Sequence, residues 1–416
     1  MQFADIAKKV GLSLDATKRR WYARNSKDAR AVFSEPTEGV PEVTETAEDV
    51  GSYKLGGDAK DRKILMQADE ITRLRRELKK THRDQLVDDQ LSEIMNGLLT
   101  SASEPPKWLY EYKAKRGVDT PETPITAWAD WHCGEVVDFD AVGGVNEYNF
   151  EVMDRRIDNL MTKTISLCNE QGPGNYPGII INLVGDMVSG GIHDELQKTD
   201  EDTPMECALR VSDRLVVGLQ TMADHFGQVY APAVCGNHGR TTHKPEYKKY
   251  HKRNWDYLIY GITKRRLADM KDDRINIDFR SANEVQYRSY NHRYWLCHGD
   301  MIGANGGDGI IGAIGPIMRG EFKTRGRAST TNKDYDTLVM GHYHQSLWLP
   351  RAIVSNTLKG FCEYAKNKLN VSPTPPSQPL WFSHPKYGIT SRWDIRVEEV
   401  EDKPVPAWVS VFDDVA

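Results

Sequence analysis

From about residue 124 onward, short apolar runs rich in β-branched residues alternate with longer stretches of helical character, the pattern of a layered α/β domain. The runs occupy residues 125–129, 179–184, 229–234, 294–297 and 337–340. Spacings of roughly 40–60 residues suit βαβ crossovers. Further strands are expected near residues 353–358, 391–397 and 408–412. Upstream the pattern changes. No proline interrupts residues 58–99, where Ile64, Ile71, Leu74 and Leu78 fall at helical spacing among Arg75, Arg76, Lys79 and Lys80. A long amphipathic helix is expected there, broken by Pro105-Pro106. Its heptad pattern lapses by Gln85, which leaves two readings: a helix packed on its own domain, or the seam of a homodimer through residues 58–100.

Composition narrows the class. The 416 residues are 39% hydrophobic and 28% charged, enough apolar material for a sizeable soluble core. Lys plus Arg number 55 against 60 Asp plus Glu, a net charge of −5, which excludes nucleic-acid binding through a uniformly basic surface. Any such binding is local. No apolar run approaches the length of a membrane span and the first residues lack the pattern of a signal peptide, so a cytoplasmic protein without membrane contact is expected. The six cysteines are scattered without paired spacing and read as reduced thiols.

Charge also divides the chain. Residues 1–30 carry eight bases against three acids, whereas residues 31–57 are acidic, contain Pro36 and Pro41, and read as a solvated linker. Within the basic end, Phe3, Ala7, Gly11 and Leu12 followed by Ala16-Thr17-Lys18-Arg19-Arg20-Trp21 resemble a helix-turn-helix, with Lys18, Arg19, Arg20 and Arg24 on a second helix suited to a major groove. A basic docking helix is the competing reading. The expected organisation is therefore residues 1–30 as a DNA-binding module, 31–57 as linker, 58–106 as helix and 107–416 as catalytic domain.

The residues just after each apolar run carry the chemistry. The five runs lead into Asp130-Trp131-His132, Gly185-Asp186, Gly236-Asn237-His238, His298-Gly299-Asp300 and Gly341-His342-Tyr343-His344. In open α/β sheets the C-terminal strand edge is where ligands bind, because the departing loops converge there. Imidazole with carboxylate suits Mn²⁺, Fe²⁺ or Zn²⁺, and a two-ion site needs a bridging ligand, a role open to Asp186. Glycine before Asp186, Asn237 and His342 permits a sharp exit from the strand.

This ordered set resembles the calcineurin-like metallophosphoesterases, whose signature runs D-x-H, GD, GNH, H and GH-x-H. The resemblance covers roughly residues 124–399. It implies a two-layer β-sandwich flanked by helices, preceded here by the helix-turn-helix-like extension. It also implies two divalent ions, Mn²⁺ foremost with Fe²⁺ or Zn²⁺ as alternatives. Asp130, His132, Asp186 and His344 would hold one ion, and Asp186, Asn237, His298 and His342 the other. His238 would act beside the phosphate as general acid, and attack would come in line from a hydroxide shared by the metals.

Departures from the family narrow the substrate. The protein phosphatases of the superfamily carry GD-x-VDRG and GNHE, whereas this chain has Gly185-Asp186-Met187-Val188-Ser189 and Gly236-Asn237-His238-Gly239-Arg240. Residues 240–266 hold nine bases against Glu246 and Asp256, with Tyr247, Tyr250 and Trp255 interleaved. That composition suits a phosphate backbone, with Arg240, Lys244, Lys248, Lys249, Lys252 and Arg253 as DNA contacts, or else an ordinary solvated face. The glycine-rich residues 299–326 read as a mobile loop over the site, with Arg319, Arg325 and Arg327 near it. His193 is a candidate phosphate contact or a plain surface histidine.

Among superfamily members the likeness is greatest to DNA-processing phosphodiesterases, including those of tailed phages and prophages. Residues after His344 are too few for the capping domain of the double-strand-break repair nucleases. The expectation is a dimetal DNA nuclease, either endonuclease or exonuclease. A phosphoesterase of nucleotides or other small phosphoesters is the first alternative, and a DNA-binding regulator with a vestigial metal site the second.

Overall fold

The computed structural model describes residues 122–172, 175–279, 283–302 and 314–398. The expected helix-turn-helix with Lys18, Arg19, Arg20 and Arg24, the acidic linker, the helix and dimer seam of residues 58–106, and the strand near 408–412 lie outside them.

Two sheets face each other. The first runs β11-β10-β1-β2-β3-β4, with β1 Thr123–Trp128, β2 Ile179–Leu183, β3 Val229–Pro232 and β4 Ile275–Asp278 mutually parallel, and β10 Ser377–His384 and β11 Gly388–Arg396 added antiparallel. The second runs β5-β6-β7-β9-β8. In it β6 His292–Cys297, β7 Thr337–Met340 and β9 Ala352–Val354 are parallel, flanked by antiparallel β5 Glu284–Ser289 and β8 Leu347–Trp348. The β6–β7 and β1–β2–β3 connections are helical crossovers, as parallel neighbours require.

The period of two in the strands explains the layering. Along β2, Ile179, Ile181 and Leu183 face α1 Phe150–Gln171 and α3 Pro204–Phe226, while Ile180 and Val184 face the second sheet. A single turn, α2 Leu196–Thr199, precedes α3. A strand buried on both faces cannot alternate polar with apolar, which is why these runs read as continuous. Between the sheets Ala127, Ile180 and Val234 meet Val285, Leu296, Val339 and Ile353. On the far side of the second sheet, α5 Ile314–Thr330 lays Ile317 and Ala328 against Trp295, Leu338 and Met340. The order is thus helices, sheet, sheet, helix. The helices are capped by their sequence: Asn149 accepts from Val152 N at α1, and Thr203 from Glu206 N ahead of Pro204 at α3. Among the described residues no helix is long and apolar enough to cross a membrane. All six cysteines are free thiols.

Two expectations are corrected. Residues 314–326 are not a mobile loop but most of helix α5, carrying Arg319, Arg325 and Arg327; Arg325 pairs with Glu321 within the helix and Arg327 with Glu284 at 2.8 Å. Burial of Ile317, Gly320, Glu321 and Ala328 along one stripe outweighs the roughly 1 kcal/mol that each interior glycine costs a helix. The strand expected over 353–358 ends at Val354. Beyond it Thr357 Oγ1 and Leu358 N turn to donate to the carbonyl of Asp130, at 2.7 and 3.1 Å, and that contact takes the place of a longer ladder.

Candidate metal centre

Loops leaving β1, β2 and β3 of one sheet and β6 and β7 of the other meet at their C-terminal ends. Their backbones are tied directly: Asp130 N donates to Gly185 O at 3.1 Å, His132 N to Asp186 O at 3.0 Å, and Gly341 N to His298 O at 2.9 Å. Five residues adopt left-handed backbone there: Asp130, His132, Asp186, His342 and His344, with φ between 48° and 68°. Such conformations are costly for residues with a Cβ, and they persist where surrounding structure over-determines them. The tight exits expected of the neighbouring glycines have a second cause, which is room. A Cβ on Gly185 would collide with the Gly236 backbone, one on Gly236 with Asp186, and one on Gly341 with the Asp130 carboxylate.

Two clusters result. Asp130, His132 and His344 bring their ligand atoms within 4.8 Å of one another, and so do Asp186, His298 and His342; each group can hold a metal ion. His132 Nε2 lies 3.1 Å from His344 Nε2, and His344 Nε2 lies 3.5 Å from Asp130 Oδ1. In the second cluster His298 Nε2 is 3.0 Å from Asp186 Oδ2 and 3.2 Å from Asn237 Oδ1, while its Nδ1 faces Val184 O at 2.9 Å. That last contact fixes the ring so that Nε2 points at the cluster. Asp186 Oδ1 accepts from His238 N at 2.7 Å.

The donor set fits divalent cations. Burial lowers the proton affinity of His132 and brings His342 down to about 3, so both imidazoles stay neutral, the form that binds metal. Burial works against a charged His298, yet the Asp186 carboxylate overrides it and carries His298 up to about 10. Burial likewise disfavours the Asp186 carboxylate, but His298 and then His238 hold it below the usual carboxylate range. The Asp186–His298 pair thus holds a proton that a metal ion would have to displace. One carboxylate with two imidazoles suits Mn²⁺, Fe²⁺ or Zn²⁺ better than an all-oxygen ion.

His238 stands against the first cluster, its ring 4.6 Å from that of His132 in an edge contact. Its Nδ1 lies 2.9 Å from Ser189 O, so in the neutral ring Nδ1 carries the proton and Nε2 is left to titrate. Burial lowers its proton affinity, Asp186 opposing. The exposed His193 lies 5.5 Å from His238 between ring centroids, which places it at the mouth of the site.

Around these groups are residues the motifs did not single out. Glu135 and Lys359 form a buried ion pair, Nζ lying 2.6 and 2.7 Å from the two carboxylate oxygens, and Glu135 Oε2 is 3.6 Å from His132 Nδ1. Asp256 accepts backbone N–H groups from both the Asp186 and Gly236 loops. Tyr250 donates to Asp300 at 3.2 Å. The one signal for Asp256 is that it interrupts a strongly basic stretch, two residues after a helix-capping Asn254.

The candidate DNA contacts divide. Lys244, Lys248, Lys249 and Tyr247 are exposed on the loop that leaves Asn237-His238. Arg253 is also exposed but pairs with Glu246 at 2.7 Å, Lys252 is half-buried, and Arg240 is half-buried with Nη2 3.5 Å from His243 O. Of the interleaved aromatic residues, Tyr250 is in the interior and Trp255 half-buried.

No protein-family model and no curated protein matches the chain. Among solved structures it is similar to a conserved protein of Streptococcus pneumoniae TIGR4 described as a predicted phosphoesterase. Identity there is 9% and TM-score 0.24, over 66% of this chain and 98% of that one. It is also similar to a Staphylococcus aureus protein assigned as a 5′-nucleotidase and solved with α-ketoglutarate, at 11% identity and TM-score 0.29, over 68% of this chain and 56% of that one.

Proposed function

We propose that the chain is a two-metal phosphodiesterase that hydrolyses DNA. The observation that carries the reading is the pair of largely buried Asp-His-His clusters, with His238 packed against His132 of the first. Asp130, His132 and His344 would hold one ion, and Asp186, His298, His342 and Asn237 the other, with Asp186 shared. When bound, two divalent ions, Mn²⁺ foremost, would neutralise phosphate charge and make water a stronger nucleophile.

The protein's own groups supply the rest. Ser189 O orients His238 through Nδ1, so that Nε2 delivers the proton to the leaving oxygen. Burial favours the neutral ring, and an anionic phosphate beside it restores the affinity for that proton. DNA as substrate is supported by Lys244, Lys248 and Lys249 with the exposed Tyr247, on the loop continuing from Asn237-His238. Bases flanking a ring that can stack suit a sugar-phosphate chain.

The test incubates purified protein and Mn²⁺ with supercoiled, linear and single-stranded DNA, beside Asp186→Ala and His342→Ala variants. Cleavage lost in both variants is expected, with open circles marking an endonuclease and shortened ends an exonuclease. Intact DNA with hydrolysis of bis-p-nitrophenyl phosphate or a nucleotide would replace DNA by a small phosphoester. DNA binding without any hydrolysis would leave a regulator with a vestigial site.

A further inference from the structure

The β2–β3 ladder pairs Ile179 with Val229 and Ile180 with Tyr230, and its last rung is Val234 N to Leu183 O at 2.9 Å. Asp186 and Asn237 lie beyond it, on loops that no longer exchange strand hydrogen bonds. Both loops present N–H groups to the gap, and two donors cannot satisfy each other. The carboxylate of Asp256 fills that gap. Its Oδ2 accepts from Asp186 N at 2.9 Å and from Gly236 N at 2.8 Å, and its Oδ1 accepts from Met187 N at 3.1 Å.

Asn254, the N-cap of helix α4 Trp255–Asp269, completes the hold. Its Nδ2 donates to Gly236 O at 2.7 Å, so the Gly236 residue is gripped at both its N–H and its carbonyl. Its Oδ1 accepts from Asp256 N at 2.9 Å, which orients the clamping residue itself. Asp256 is fully buried and Asn254 nearly so. Gly185, Gly236 and Gly239 leave the space that this close meeting needs, since a Cβ on Gly239 would collide with Asn254 Oδ1. A carboxylate has acceptor sites for several N–H donors at once, which a neighbouring strand's carbonyl facing one way does not.

We infer that Asn254 and Asp256 are positioning residues that set the Asp186 loop against the Asn237-His238 loop, and so determine the affinity of the Asp186 cluster for its metal. Neither touches substrate. The inference rests on the reading of Asp186, Asn237, His298 and His342 as a metal site. It predicts a larger effect on one ion than on the other, because Asp186 is shared by both whereas the backbone around Asp130 is also held by Thr357 and Gln378.

The experiment titrates Mn²⁺ into the full chain by calorimetry, comparing wild type with Asp256→Ala, Asp256→Asn and Asn254→Ala, each checked for folding by circular dichroism. Wild type should bind two ions; failure there would overturn the metal reading itself rather than the clamp. Asp256→Ala should weaken the ion of the Asp186, His298 and His342 cluster about 10–100-fold, the range typical of outer groups that orient ligands, and the other ion by clearly less. Asp256→Asn, which retains one accepting oxygen, should recover part of the loss. Should Asp256→Ala not fold, Asp256→Asn and Asn254→Ala carry the same reading at smaller amplitude. Two ions bound at wild-type affinity in folded variants, or an equal weakening of both, would overturn the inference.

Discussion

The Glu135–Lys359 pair offers the sharpest test of how the site is supported. Both side chains are about nine-tenths or more buried, at 7% and 6% exposure, and the ammonium bridges both carboxylate oxygens. The lysine backbone is itself anchored, its carbonyl accepting from Asn146 Nδ2 and from the buried Arg156. Changing Lys359 to Met removes the cation bonded to a carboxylate that also sits 3.6 Å from His132 Nδ1. Breaking a buried pair by deleting one partner costs about 3–5 kcal/mol, because the remaining charge stays desolvated. The double variant Glu135→Gln/Lys359→Met leaves no charge behind, and exchanging a whole buried pair for neutral groups is often close to neutral. The expected double-mutant coupling is therefore at least about 2 kcal/mol, read from urea unfolding of the four proteins at pH 7. Additive losses, or a Lys359→Met protein within about 1 kcal/mol of wild type, would refute the claim that the pair is desolvated and interdependent.

The same geometry sets further outcomes. His238→Asn should still bind two Mn²⁺ by calorimetry while turnover falls about 10²–10⁴-fold, the usual worth of a general acid, and a fully active variant would remove His238 from the reaction. Gly236→Ala places a Cβ on the Asp186 carboxylate and should abolish binding of the second ion, whereas Gly326→Ala, where a Cβ meets open space, should leave metal binding intact; calorimetry distinguishes them. Burial first, with Glu135 adding, pushes the Asp200 carboxyl up to about 7 against roughly 4 in an unfolded chain. The folded state thus holds a proton that the unfolded state has lost, so stability should fall as pH rises from about 4 to 7, and Asp200→Asn should flatten that slope in urea melts.

The parallel strands were legible because a strand buried on both faces must be apolar throughout, and β1, β2, β3, β6 and β7 emerge within a few residues of their apolar runs. Of the antiparallel strands, β11 was anticipated near residues 391–397, whereas β5, β8 and β10 were not. The central strand β10 contains Pro379 after a proline-rich approach, which reads as loop until β1 and β11 pair with it. Helix α5 was hidden by its glycines, and only the sheet surface offered to Ile317 and Ala328 decided for helix. The same division runs through the site. Asp130, His132, Asp186, Asn237, His238, His298, His342 and His344 were readable in advance because each sits next to a strand end, so local sequence carries both the residue type and its place. Lys359 and Asp256 were not, since Lys359 lies 224 positions from Glu135 and Asp256 lies 70 from Asp186. A sequence records what each strand end offers. Which distant carboxylate or ammonium comes to rest behind it is settled by burial, because a charge withdrawn from water must find its partner wherever the chain has brought one.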